Sequence, residues 1–201
     1  MNARLEYTIP FTAGVHWDDH MIMNNYVARL YMITNSVDNV SQNIAFDRIK
    51  YFIYSELNST IFVSREHEDV CKKLIAAGLK ITTLPGEPVD QLIGIMLYCK
   101  LNAIMENFMV INEIELSSDL GENMVHLHAA DESQGPFENS GWWHDSDLIH
   151  CDTDLISNEK VVAIHRAGAW RELNLAWPDA ESEEATDNTV VFVEFQTNET
   201  K

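Results

Sequence analysis

The chain has 201 residues, enough to bury a hydrophobic core within one domain, and its 46% hydrophobic content excludes wholesale disorder. Thirty-two acidic residues against thirteen basic give a formal charge of −19. A broad phosphate-binding surface is therefore excluded, direct nucleic-acid binding is not expected, and cationic partners, metal ions or basic protein surfaces fit better.

In chain order, "EYTIPFTAGV" (6–15) and "NNYVARLYMIT" (24–34) are rich in β-branched and aromatic residues and read as a pair of strands, with Pro10 pushing the first towards an edge. From Ser36 the period changes to three- and four-residue steps (Val37, Val40, Ile44, Ile49, Ile53, Leu57), which predicts an amphipathic helix over 36–57 capped by Ser36. "STIFVS" (59–64) is a short buried strand, and Ser64 is placed to cap a helix ending at Gly78. "LKITTL" (79–84) is a further strand. After "PGEP" comes a helix over 88–105, apolar nearly all round and therefore central, covering the sheet or forming a subunit interface. "NFMVINEIEL" (107–116) and "ENMVHLHAA" (122–130) read as strands joined by the turn "SSDLG".

Beyond residue 130 loop chemistry dominates, with further strands predicted at "EKVVAIHR" (159–166) and "NTVVFVEF" (188–195). Charge follows the same division. Residues 1–116 carry 14 acidic and 9 basic side chains, net −5, whereas residues 117–201 carry 18 and 4, net −14. The expected architecture is a single α+β domain over 1–201, a mostly antiparallel sheet with about three helices packed on one face, and a loop-rich acidic region at 131–187.

No long apolar core follows Arg4, so no secretory signal is read, and no run of about 18 apolar residues predicts a membrane span. Three scattered cysteines, Cys71, Cys99 and Cys151, argue against a disulfide framework and for a reducing, cytoplasmic setting. No glycine-rich phosphate loop, Cys-x-x-Cys or His-Glu-x-x-His motif occurs.

Histidine carries what chemical signal there is. In a strand, His126 and His128 present two imidazoles on one face, a ready chelate for a divalent metal such as zinc or iron. "GENMVHLHAADE" resembles the first metal motif of cupins, His-x-His followed four residues later by a carboxylate, here Glu132. That resemblance implies ligand geometry only, since Gly121 sits one residue too close and three helices precede the motif. "GWWHDSDLIHCDTD" (141–154) adds His144, Asp145, Asp147, His150 and Asp152 as candidate ligands. Its "HCD" has the His-x-Asp form of the facial triad of non-haem iron oxygenases, with His165 as the later histidine. Cys151 beside His150 is poorly placed as a nucleophile, because neighbouring aspartates raise the thiol pKa. Trp142 and Trp143 equally read as anchors that hold a polar loop onto the sheet. "HWDDH" supplies a possible second cluster, His16, Asp18, Asp19 and His20, at a strand end where polar turn residues are expected anyway.

"TLPGEPVDQLIGIMLYCKLNAIMEN" and "GWWHDSDLIHCDTD" resemble uncharacterised proteins of T4-like phages of marine cyanobacteria. The resemblance implies a small protein of the host cytoplasm and no particular activity. Two function classes therefore follow from the residues, and whether the chain is an enzyme stays open. One is a metal-binding protein, extending to a metal-dependent hydrolase built on the His/Asp/Glu cluster. The other is a non-enzymatic acidic protein that docks on a basic partner surface, with oligomerisation compatible with either.

Overall fold

The computed structural model describes residues 4–34, 38–152 and 169–178. β1 (Arg4–Trp17) and β2 (His20–Thr34) form one long antiparallel hairpin, closed by the pair Trp17 and His20. Its two turn residues, Asp18 and Asp19, have φ of 49° and 60°. Consecutive left-handed residues match the right-handed twist of the strands, and aspartate tolerates them better than branched side chains do.

Four more strands complete one sheet: β3 (Ile61–Ser64), β4 (Ile81–Leu84), β5 (Met109–Ser118) and β6 (His126–Ala129), in the order β4-β3-β1-β2-β5-β6. β2, β5 and β6 continue the antiparallel pattern, while β3 and β4 add in parallel beside β1. The fold is thus α+β with a mostly antiparallel sheet. Pro10 does have an edge-like position inside a central strand. β3 meets β1 only at Gly14 and Val15, so the Pro10 stretch is paired on the β2 side alone.

Alternation decides which face is buried. Ile9, Phe11, Ala13 and Val15 of β1, with Tyr26, Ala28, Leu30 and Met32 of β2, point to one face and join Ile111, Ile114 and Leu116 of β5 in the main core. α1 (Asn39–Tyr51) and α3 (Asp90–Met105) cover that face. The central position expected for α3 is realised: residues from Ile93 to Met105 are almost all buried, so its two apolar faces meet the sheet and the surrounding loops. α2 (Glu68–Ala76) lies on the opposite face, where Cys71 packs with Ile61, Val63 and Ile81. Because β3 and β4 are covered on both sides, all eight of their residues are buried.

Two helix starts differ from the sequence reading. The N-cap of α1 is Asp38, whose carboxylate accepts from the Val40 and Ser41 amides at 2.9 and 3.0 Å. A carboxylate accepts two amides at once and interacts favourably with the helix dipole, which a hydroxyl does less well. α1 then widens into a π turn over 52–57 that buries Phe52, Ile53 and Leu57. α2 starts at Glu68, four residues beyond Ser64, with His67 at its N-cap. The strands predicted at 159–166 and 188–195, and His165, lie outside the described residues. Among the described residues no helix is long and apolar enough to cross a membrane.

Candidate functional site

The expected metal shell does not assemble. Among the described residues no three His, Cys, Asp or Glu side chains converge so as to hold a metal ion. His126 and His128 do share a face of β6, but they sit opposite Leu116 and Ile114, on the helix-covered side. His128 is buried against Tyr98, ring centroids 4.8 Å apart, and its Nδ1 lies 3.5 Å from Glu132 Oε2. Burial lowers the His128 pKa, with Glu132 opposing. His128 and Glu132 are thus neighbours, while His126 faces a different cavity.

The 141–154 stretch answers as packing, not as a ligand set. Trp142 and Trp143 are buried, and their indole nitrogens donate to the Thr83 and Phe137 carbonyls at 3.1 and 3.0 Å. Asp145 and Asp147 are turned towards α3. There the Lys100 ammonium, with no exposed surface, donates to the Trp142 and Asp145 carbonyls at 3.1 and 2.8 Å and lies 3.7 Å from Asp147 Oδ1. His144 bonds the Phe137 carbonyl through Nε2 at 2.7 Å. His150 and Asp152 run beside β4. His150 Nδ1 donates to Ile81 O at 2.8 Å, and the Asp152 amide donates to Thr83 Oγ1 at 3.0 Å. The segment thereby occupies the backbone groups of an edge strand that would otherwise be open to pairing. The Cys151 thiol is pushed up to about 12 by burial first and by Asp152 second, which makes it inert.

The second cluster is divided as well. His16 is buried on the α2 side of the sheet, its ring 5.6 Å from that of His67. Asp19 shares a surface hollow with them and with Glu66, Glu68 and Asp69. Asp18 and His20 are exposed in the hairpin turn. A twisted two-stranded tip sends neighbouring residues in opposite directions, so adjacency in "HWDDH" does not become convergence.

A different site is more complete. On the helix-covered face, between the hairpin tip and the start of α3, a cavity of about 370 Å³ is walled by Val15, Trp17, Ile22, Val89 and Leu120. Its polar lining is Asn24, Tyr26, Asp90 and His126. Asp90 Oδ2 accepts the Ser118 hydroxyl at 2.6 Å, and that hydroxyl oxygen accepts the Gly121 amide at 3.0 Å. Asn24 Oδ1 accepts the Leu120 amide at 3.0 Å. Tyr26 OH and Asn24 Nδ2 are buried beside each other, the amide interacting with the phenol, and neither has a further partner among the described residues. Burial holds the Tyr26 phenol well above its usual pKa. The nearby Asn24 amide opposes that rise and Asp90 adds to it, so the hydroxyl stays protonated.

Most of these residues escaped the sequence reading. The available signal was register: once 24–34 is a strand with Ala28 and Leu30 inward, Asn24 and Tyr26 must be inward too, and an inward asparagine in a strand demands a partner.

No family model matches the chain, and no curated protein matches it. Among solved structures, an uncharacterised protein from Wolinella succinogenes is similar over 65% of this chain and 99% of its own, at 10% identity and a TM-score of 0.49. A catalytic-residue mutant of Plasmodium vivax 6-pyruvoyltetrahydropterin synthase is similar over 64% of this chain and 97% of its own, at 9% identity and a TM-score of 0.40.

Proposed function

We propose that this protein is a non-enzymatic docking module for a basic partner, bound on the sheet face opposite α1 and α3. One observation carries this reading. Beyond the end covered by α2, that face exposes Met21, Met23, Val27 and Leu127, at 55, 64, 43 and 51% of their surface. Exposed apolar side chains gathered on one face are characteristic of interaction surfaces, and methionine adapts to differently shaped partners.

The surroundings are acidic. Glu6, Glu113, Glu115 and Asp119 border the strands, and Asp18 and Asp19 form the tip. Arg29 on this face is already held by Glu6 at 3.3 Å and Glu115 at 3.1 Å. A second copy would bring the same negative border to the contact, and like charges facing each other are costly. A surface with lysines and arginines between apolar residues meets both requirements, and the −19 charge speeds its approach.

The test uses a synthetic amphipathic peptide of leucine and lysine, with a leucine and glutamate peptide of the same length as control. The lysine peptide binds, more weakly at high salt, and a Met23→Lys/Leu127→Lys variant loses most of that affinity. Leu79→Lys, an exposed position between α2 and the edge strand β4, keeps it. Binding that ignores the double variant, or a dimer sealed by this face in sedimentation, overturns the proposal.

A further inference from the structure

The cavity beside the hairpin tip has features that the docking face does not use. Its volume of about 370 Å³ falls at the lower end for small-molecule sites, and its walls are mainly apolar. A carboxylate, a phenol, a carboxamide and the His126 imidazole line this apolar space. Tyr26 and Asn24 are 1% and 3% exposed, and beyond each other their OH and Nδ2 have no partner among the described residues. Burying polar groups with an incomplete set of hydrogen bonds is costly. A fold that retains two such groups at one cavity has a reason to do so if something else completes them.

Charge selects the ligand class. Asp90 is the carboxylate among the lining residues, and among the described residues neither lysine nor arginine lines the cavity with it. The Ser118 hydroxyl occupies Oδ2, and a carboxylate has acceptor capacity left for a charged donor. Gly121 is what lets the loop close over this group: a β-carbon there would lie 2.5 Å from Asp90 Oδ2. Trp17, which is partly exposed, adds an aromatic face, to which a cation is attracted.

We infer that this cavity binds a small organic cation, a protonated amine on a compact apolar or aromatic body, with Asp90 receiving the ammonium and Asn24 and Tyr26 completing their bonds to an oxygen on the ligand. The proposal does not depend on docking at the opposite face.

The test compares three probes with one body and different heads: phenethylamine, phenethyl alcohol and phenylacetate. Each is titrated by NMR into the isotope-labelled full chain. The amine binds at least about tenfold more tightly than the alcohol, the worth of a charge-assisted hydrogen bond in an apolar site. Phenylacetate does not bind, and the shifted signals include the Trp17 indole and the Val15 and Ile22 methyls. In Asp90→Asn the preference for amine over alcohol disappears. If that variant fails to fold, the ranking of the probes on the unaltered chain still decides. Equal affinity for amine and alcohol, no binding of the amine, or shifts confined to other surfaces overturns the inference.

Discussion

Lys100 Nζ donates a 2.8 Å hydrogen bond to the Asp145 carbonyl from a position with no exposed surface. That bond and its companion to Trp142 tie α3 to the tryptophan-bearing loop. Lys100→Met removes the donor and leaves two carbonyls unsatisfied. The expected loss is about 1–3 kcal/mol in urea denaturation at pH 7.

The same lysine carries a pH signature. Burial pushes it down to about 8 from 10.5, with Asp147 and Asp145 opposing. The unfolded chain therefore keeps this proton up to 10.5, while the folded chain releases it near 8. Between those values the unfolded state binds more protons, so this group makes stability rise with pH. Denaturation curves at pH 7.5 and 10 should show the native chain gaining stability relative to Lys100→Met. A constant difference contradicts the assignment.

His128 gives the opposite window. Burial lowers its pKa, so the unfolded chain takes up the proton first as pH falls through about 6.5. Its contribution to stability is full at neutral pH and is lost on acidification. A His128→Gln variant should lose less stability than the native chain between pH 7.5 and 5.5. Because the candidate ligands lie apart, added zinc should leave the melting temperature of the native chain and of His126→Ala/His128→Ala unchanged.

Gly141 precedes the tryptophan pair with extended backbone at φ −175°, a conformation any residue adopts. Space, and not conformation, demands glycine: an added β-carbon would collide with the Trp143 ring. That ring is held by bonds to the Phe137 and Asn139 carbonyls at 3.0 and 3.2 Å. Gly141→Ala should cost about 1–3 kcal/mol through overpacking, and Trp143→Ala about 3–5 through the cavity it leaves. Thermal melts of both variants check the order.

Arg48 stacks on Trp177 at 3.7 Å and Trp170 at 4.7 Å, and donates to Leu175 O at 2.8 Å. With the Trp170 indole bond to the Ser146 carbonyl, it fastens residues 169–178. In Arg48→Lys the planar stacking and the fixed fork are lost together. Hydrogen exchange should accelerate in that segment while β1 and β2 stay protected.

What the sequence disclosed depended on whether the signal was local. β-branched and aromatic content placed β1 and β2, and helical spacing placed α3, because each signal is complete within its own element. The α1 cap was misread because Ser36 and Asp38 are both good caps two residues apart. The histidine clusters failed for a different reason. His-x-His fixes a shared face but not which face, and β6 turned that face inward against Tyr98. The cavity residues come from β1, β2, α3 and the loop after β5, so their meeting depends on pairings such as Tyr26 with Ser118 that no local pattern encodes.

The hairpin also has a consequence for biosynthesis. Its strands need only each other to pair, so they are ready once residue 34 has emerged from the ribosome. Their apolar side waits for α3 and for β5, which ends at Ser118. At about 5–20 residues per second, that is a delay of roughly 4–17 s with a greasy ribbon uncovered. Nascent-chain stickiness should therefore peak in this interval and fall sharply as the fifth strand docks.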